Sequence, residues 1–399
     1  MKKIIFSLVV LGSMITSCSS DDDNINQDPQ VVAPATYNFT RNGNSTVSFS
    51  GQSTRIAMSQ ELASAISDNT KTEAQLDAMF AHVEGQNDFS DADLNASGKN
   101  VRSKTAASYD YYSANSTDAN AIKADFDGWL ASQVADVFPN WGATATAGNA
   151  GQLQEIGGGS TRYVNAQGLE LNQAFAKALI GGLMTDQIVN NYLSPSVLDE
   201  ADNRINNDND VLEDGKDYTT MEHKWDEAYG YLYGAEENPD TPVLGADNFL
   251  NKYLSRVDND DDFAGIADDI YNAFKLGRAA IVEKNYTVRD QQAEIIKDKI
   301  SLIIGVRAVH YLQAGKADLG MDNASAFHGL SEGYGFIYSL QFTRVANTNA
   351  PYFSKTQVDA YLAQLMTGNG FWDVSDDTLD QMSDEIATEF GFTKEQAAN

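Results

Sequence analysis

The chain contains 399 residues, and its 57 acidic against 27 basic side chains give a formal net charge of −30 at pH 7. A surface this acidic repels phosphate backbones, which argues against nucleic-acid binding. Apolar residues make up 42% of the chain, with 18 Tyr and 18 Phe, which excludes a disordered polypeptide and is enough for a large core. The length allows one large domain or two ordinary ones.

Residues 1–18 predict export and attachment of a lipid. Lys2 and Lys3 precede an apolar run, residues 4–15, and small residues then lead to Cys18. This is the layout of a secretory signal peptide, and the run is too short to span a bilayer permanently. The sequence Ile-Thr-Ser-Cys resembles a bacterial lipobox, in which the cysteine becomes the lipidated first residue; an ordinary cleaved signal is the alternative. Cys18 is also the only cysteine, which excludes internal disulfides and a cysteine metal site.

Residues 19–36 predict a flexible tether between the lipid and the folded part of the protein, because polar residues, Pro and Ala follow one another without any period. The tether starts with Ser-Ser-Asp-Asp-Asp at residues 19–23. This resembles the Ser/Asp-rich export tags that send some Gram-negative lipoproteins to the outer face of the outer membrane. We therefore expect a lipid-anchored, surface-exposed protein of the outer membrane.

The remaining chain predicts an all-α protein. Residues 37–50 alternate weakly around Asn42-Gly43 and predict a small N-terminal β-hairpin or extended segment. Beyond them apolar residues recur at helical spacing, and Thr72 with Gln75 predicts a capping box at a helix N-terminus. The longer helical patterns cover residues 119–137, 163–194, 263–283, 288–314, 323–343, 356–366 and 376–390. Long helices joined by loops are typical of helical bundles.

Three polar loops were tested for ligand-binding motifs. Residues 156–160 contain three consecutive glycines, but no Gly-Lys-Ser/Thr follows and no predicted strand precedes, so a P-loop is excluded. The acidic segments 199–218 and 258–262 lack the glycine and glutamate spacing of an EF-hand in every register. Loose calcium binding there is the less favoured interpretation, and solvated loops are expected.

Two stretches of the chain, residues 223–233 and 328–338, resemble each other. Aligned without gaps they share five of eleven residues. The identical pairs are His223/His328, Glu227/Glu332, Tyr229/Tyr334, Gly230/Gly335 and Tyr233/Tyr338. This indicates a duplicated helix and predicts two related halves, at about residues 37–243 and 244–399.

The repeated histidines and glutamates are candidate ligands of a divalent metal, iron or zinc. Positions i and i+4 share one face of a helix, so His223 lies beside Glu227 and His328 beside Glu332. If the copies meet, they supply four suitable ligands. However, neither copy has the His-Glu-x-x-His pattern of metalloproteases, and the order of Glu and His is reverse to that of ferritin-like di-iron helices.

A structural role is the alternative for the same residues. Each histidine would then bond the glutamate one turn later, the glycines would allow close packing, and the tyrosines would fill a core. Residues 329–333 also match Gly-x-Ser-x-Gly, but helical sequence precedes the serine and no histidine follows it, which excludes a hydrolase elbow. The other histidines, His82 and His310, lie in apolar helical contexts that favour packing or surface positions.

The repeated motifs carry a resemblance to a known group. A lipoprotein of two helical halves, with a His-x-x-acid helix that leads into Tyr-Leu-Tyr-Gly, resembles the imelysin group. Residues 218–231 and 328–336 are more closely similar to an imelysin-related lipoprotein family, domain of unknown function 4856, over most of the mature chain. The imelysin motif is Gly-x-His-x-x-Glu. In the first copy Met221 replaces the glycine and Asp226 stands where the motif has its glutamate. In the second copy Ser331 stands at the position of that glutamate.

The resemblance implies a function and its rivals. Imelysins are associated with iron uptake and are sometimes classed as metallopeptidases. We therefore expect an outer-membrane binding component in iron, metal or nutrient acquisition, partnered with an uptake system, and not an enzyme. A metal-dependent peptidase that uses the same four residues is the alternative, and a structural or adhesive surface protein is the third hypothesis.

Overall fold

The computed structural model describes residues 31–398, which fold into helices and two small hairpins. The strands are β1 (Thr40–Arg41), β2 (Asn44–Ser45), β3 (Gly151–Gln154) and β4 (Thr161–Val164). The helices are α1 (Ser50–Ala65), α2 (Glu73–Phe80), α3 (Ala92–Asn95), α4 (Tyr109–Tyr112), α5 (Ser116–Ser132), α6 (Leu171–Leu179), α7 (Pro195–Leu198), α8 (Asn203–Asp208), α9 (Thr220–Tyr233), α10 (Leu250–Asp258), α11 (Ile266–Val282), α12 (Tyr286–Asp318), α13 (Asn323–Ser339), α14 (Lys355–Leu365), α15 (Asp376–Phe390) and α16 (Lys394–Ala397). The predicted all-α class is confirmed.

The predicted N-terminal hairpin is also confirmed. Thr40 pairs with Ser45 and Arg41 with Asn44 in antiparallel register. The two residues between them, Asn42 and Gly43, both have positive φ values of 53° and 85°. Asn and Gly tolerate this left-handed conformation, and the turn it produces matches the twist of two antiparallel strands.

The second hairpin was not predicted. Strands β3 and β4 pair from Gly151 with Val164 to Gln154 with Thr161. The loop between them contains Gly157 and Gly158, both with positive φ, so the glycines reverse the chain. Residues 156–160 are loop as expected, the strands lie on either side of them, and the helix expected from residue 163 begins only at α6.

Several predicted helix boundaries agree closely with the structure. The Thr72 hydroxyl accepts from the backbone of Gln75, whose side chain bonds back to Thr72, as a capping box requires. Thr219 and Glu222 form a second capping box at the start of α9, which carries the first repeated motif. Helix α13 carries the second motif. The 33-residue α12 packs beside α13 and is about 50 Å long at 1.5 Å per residue.

The helical backbone continues beyond Leu179, the last α-helical residue of α6. Two π-helical segments, Ile180–Thr185 and Ile188–Tyr192, continue it. The first contains Gly181, where a Cβ would collide with the side chain of Ser339. The Gly181 amide donates to the Ser339 hydroxyl at 3.1 Å, so α6 and the end of α13 are in direct contact.

Residues 31–36, the last part of the predicted tether, contact α11 through Val31 and Ala35. Val31 lies in a small apolar cluster with residues of α11. Lys275 of α11 donates to the carbonyl oxygen of Ala35 at 3.1 Å. The signal peptide, Cys18 and residues 19–30 lie outside the described residues.

A buried charge network joins the N-terminal hairpin to α9 and α11. Arg278 of α11 bonds Glu222 and Asp226 of α9, at 3.0 Å in each case, and all three side chains are buried. The Tyr37 hydroxyl donates to Asp226 at 2.7 Å, and Arg41 pairs with Glu222 at 2.9 Å. Buried charges need such partners because an unpaired one is costly to desolvate.

Residues from Val31 onward form one compact unit, and both predicted halves lie within it. Within residues 31–398, none of the helices is both long and apolar enough to cross a bilayer.

Candidate functional site

The two repeated helices, α9 and α13, dock onto α1 and α6 through the same glycine position. A Cβ on Gly230 would collide with Phe49 and lie 3.1 Å from the Cβ of Gln52, at the start of α1. A Cβ on Gly335 would lie 2.5 Å from the Cβ of Lys177 in α6. The predicted close packing of these glycines is therefore present in both copies.

The repeated glutamates bond the residues that the glycines pack against. Glu227 Oε1 accepts from Gln52 Nε2 at 3.0 Å, and Glu332 Oε1 lies 3.0 Å from Lys177 Nζ. In each copy the glycine and the glutamate of the motif thus contact one and the same residue of a neighbouring helix, Gln52 in α1 and Lys177 in α6.

The repeated histidines bond the segment just before each docked helix. His223 Nδ1 lies 3.0 Å from the carbonyl oxygen of Ser48, which precedes α1. His328 Nδ1 lies 2.6 Å from Glu170 Oε2, which precedes α6, and 3.0 Å from Arg162 Nη1. The structural alternative, with each histidine bonded to the glutamate of its own helix, is thus wrong in this detail.

The structure does not bring the four predicted metal ligands together. Among residues 31–398, no three His, Cys, Asp or Glu side chains are close enough to hold a metal ion. Glu332 is already paired with Lys177, and Glu227 lies 3.4 Å from Lys224 Nζ, so an ammonium stands where a metal would bind. Like charges repel, and the residues present do not fit the expected iron or zinc site.

A polar pocket lies beside the second copy of the motif. It has a volume of about 550 Å³ and is lined by residues of α1, α6, α10 and α13, by Ser67 after α1 and by the two residues before α10. We call it the Lys177 pocket. Its lining residues are Gln60, Ala63, Ser64, Ser67, Asn172, Gln173, Ala176, Lys177, Asn248, Phe249, Lys252, His328 and Glu332. His328 and Glu332 of the predicted site are therefore pocket residues.

The Lys177–Glu332 ion pair of this pocket is buried, with 5% and 6% of the two residues exposed. Burial alone would raise the pKa of Glu332, but the Lys177 ammonium, His328 and hydrogen bonds, including one from Tyr311, outweigh it and lower the pKa to about 2. Tyr253 also donates to Glu332 Oε1 at 3.3 Å. Glu332 is thus held as a carboxylate.

Three cations surround the ring of Tyr253. Lys177 Nζ lies 5.4 Å and Lys252 Nζ 5.6 Å from the ring centroid, and the Arg307 guanidinium lies at 5.5 Å. Burial and the neighbouring Lys177 ammonium lower the pKa of Lys252. An aromatic face attracts cations, so one buried tyrosine helps to hold three of them near a single carboxylate, Glu332.

A family model described as domain of unknown function DUF4856 matches residues 34–393. The chain belongs to this family. No curated protein and no solved structure matches the chain. The finer resemblance to the imelysin group remains an expectation from the sequence.

The first copy of the motif in this DUF4856 protein has related surroundings. Glu227 lies near Lys224, and the ammonium groups of Lys224 and Lys104 lie 5.7 and 5.8 Å from the ring of Tyr192. A glutamate, two lysines and a shared tyrosine thus occur in both copies. In the first copy the glutamate accepts from the uncharged Gln52 of the neighbouring helix, whereas in the second it pairs with Lys177.

Sequence reasoning missed the lysines of the DUF4856 pocket. Lys177 is the one charged residue in the apolar run of residues 174–184. A buried lysine needs a partner, so this isolated charge was a usable signal. Nothing in the sequence singled out Lys252, which reaches the pocket only because α10 packs near α13.

Proposed function

We propose that this DUF4856 protein is a lipid-anchored binding protein of the outer-membrane surface that captures a small polar solute for nutrient uptake. The observation that carries the proposal is the Lys177 pocket. Its volume of about 550 Å³ lies within the range of small-molecule sites, roughly 300–1,000 Å³.

The chemistry of the pocket lining supports a polar ligand. Four side-chain amides line it, together with the hydroxyls of Ser64 and Ser67 and the ion pair of Lys177 with Glu332. Amides and hydroxyls both donate and accept hydrogen bonds, so they suit a ligand with several hydroxyl groups. Phe249 is the one aromatic residue of the lining, and it is fully buried. A lipid or a wholly apolar ligand would leave the polar groups without partners, which costs free energy.

The place of action rests on the sequence alone. Cys18 at the end of an apolar leader supports lipidation, and the Ser/Asp run at residues 19–23 supports export to the cell surface. A protein anchored at the surface would pass its solute to an outer-membrane uptake system.

The metal-dependent peptidase is less well supported. Such an enzyme needs several ligands around one ion and a general base beside it. His223 and Glu227 bond α1 and the segment before it, and His328 and Glu332 bond α6 and the segment before it. Binding of a solute without catalysis does not require several side chains to converge on one metal ion.

The test is thermal unfolding of the full-length protein in detergent, with a panel of sugars, sugar acids, amino acids and divalent metal salts. A ligand at 100 times its Kd stabilises the native state by about 2.7 kcal/mol, which is readily seen as a rise in Tm. The control is Ala63→Trp, since Ala63 is partly exposed and lines the pocket. We expect a polar solute to raise the Tm of the wild type and not of the variant.

Two results would refute this function. One is that no solute raises the Tm, or that the rise persists in Ala63→Trp. The other is peptide hydrolysis that chelators abolish, which would favour the peptidase.

A further inference from the structure

The Lys177 pocket carries an excess of positive charge in a strongly acidic chain. Of its lining side chains, Lys177 and Lys252 are cationic and Glu332 is the single acid, whereas the whole chain has a net charge of −30. Lys177 is neutralised by Glu332 at 3.0 Å. Within residues 31–398, no carboxylate lies within ion-pair distance of Lys252, so its charge is available to a ligand.

Arg307 adds to the positive electrostatic potential around Glu332. Arg307 is 6% exposed and lies 4.5 Å from the ring centroid of Tyr311 and 5.5 Å from that of Tyr253. Its Nε is buried and has no hydrogen-bond partner among the described residues. Arg307 and Lys177 both oppose the protonation of Lys252, whose pKa is lowered chiefly by burial. An anion bound beside Lys252 would relieve this repulsion.

The N-terminus of α6 adds a third favourable feature for an anion. Asn172 and Gln173, in its first turn, line the pocket. The residue before the helix, Glu170, makes no side-chain cap, because its carboxylate bonds His328. The first amide groups of a helix carry partial positive charge and attract anions.

We infer that the Lys177 pocket selects small solutes that carry an oxyanion, a carboxylate or a phosphate, next to hydroxyl groups. This rests on the proposed function of the same pocket. Lys252 pairs with the oxyanion, and the partial positive charge at the α6 N-terminus stabilises the same oxyanion. The lining amides, from Gln60, Asn172, Gln173 and Asn248, bond the hydroxyls, and Glu332 keeps Lys177 in place.

The lining of the pocket explains why a ligand needs both an oxyanion and hydroxyl groups. A solute without an anionic group would leave Lys252 unpaired in a half-buried position. A simple apolar anion would leave the amides without partners. Sugar acids and sugar phosphates satisfy both demands, whether they are free or are released from a polymer.

The inference is tested by calorimetric titration of the full-length protein in detergent with four matched sugars. Glucuronate carries a carboxylate, glucose 6-phosphate a phosphate, glucose no charge and glucosamine a cation. We expect glucuronate or glucose 6-phosphate to bind at least tenfold more tightly than glucose. Glucosamine should bind most weakly.

Substitutions locate the effect. Lys252→Met should lower the affinity for the anionic sugar at least tenfold, and Lys252→Arg should restore most of it. Lys299→Met is the matched control, because Lys299 is a surface lysine paired with Asp269 at 3.2 Å, and it should change nothing. Unchanged Tm values confirm that each variant is folded.

The outcomes separate the inference from the function it rests on. Binding of glucose or glucosamine as tight as that of the anions, blocked by Ala63→Trp, would overturn the inference and leave the proposed function intact. Anion binding that survives Lys252→Met would overturn the assignment of Lys252. No binding of any solute class would overturn both.

Discussion

Loss of the Glu332 carboxylate should destabilise the protein in a pH-dependent way. The pKa of this carboxyl group falls from its ordinary value of 4.5 to about 2 in the folded protein. Each unit corresponds to about 1.4 kcal/mol, so the ionised form contributes about 3 kcal/mol to the free energy of unfolding at pH 7. Glu332→Gln should remove this contribution. The buried Lys177 ammonium would then lack its counter-ion, for which about 3–5 kcal/mol is the usual cost.

The sign of the pH dependence follows from the lowered pKa. The contribution of Glu332 is fully present above pH 4.5, where the unfolded chain is also ionised. It is lost as the pH falls from 4.5 towards 2, because the unfolded state takes up a proton that the folded state resists. The difference in stability between wild type and Glu332→Gln should therefore shrink over this range.

The assay is urea unfolding of both full-length proteins in detergent at pH 7, 5 and 3. The matched control is the double variant Lys177→Met/Glu332→Gln, which removes both charges. It should be more stable than Glu332→Gln alone, since no unpaired ammonium is left. A loss below 1 kcal/mol at pH 7, or one that is equal at pH 7 and 3, would show that the ion pair does not act as described.

Further expected outcomes concern packing, the charge network and the anchor. Gly335→Ala places a Cβ 2.5 Å from that of Lys177 and should lower the unfolding free energy by about 1–3 kcal/mol. The control Gly128→Ala, with open space around the new Cβ, should be neutral or stabilising. Equal effects of the two substitutions would contradict the packing argument. Arg278→Met leaves the buried Asp226 without a cationic partner, while Glu222 keeps Arg41, and should lower the unfolding free energy by about 3–5 kcal/mol; a loss under 1 kcal/mol would contradict the network. Cys18→Ala should leave unprocessed precursor that no longer enters the detergent phase, and normal processing with detergent partitioning would refute lipid anchoring.

The parts of the fold that could be predicted depend on local chemistry. Asn42-Gly43 specifies its turn because both residues tolerate positive φ. Thr72 and Gln75 specify a helix start because they satisfy each other's backbone donors. Amphipathic helices such as α11 and α15 can be recognised from the 3.6-residue period of their buried residues, whatever surrounds them.

The parts that escaped prediction depend on distant contacts. Strands β3 and β4 are four residues each and carry almost no alternation. The π-helical segment at Ile180–Thr185 lies where α6 meets the side chain of Ser339, a contact that no local pattern encodes.

In the candidate site, too, local sequence features could be predicted and distant contacts could not. The repeat located His328 and Glu332, since rare residue types at matched positions are visible in a sequence. Their partners are not adjacent in the chain: Lys177 and Glu170 belong to α6 and its approach, and Lys252 to α10. A shared metal site requires the two copies to converge, whereas in residues 31–398 each copy docks on a different helix.

The way in which the first described residues are fastened has a mechanical consequence for an anchored protein. Tension on the chain before Val31 would enter through residues 31–41, where Lys275 holds Ala35 and Tyr37 stacks on Tyr229 at 3.6 Å. The load would pass to α9 and α11 and be resisted by their buried charges. Under the proposed anchoring, a pull on the chain would therefore act first on α9 and α11, which are not the helices that carry the Lys177–Glu332 pair.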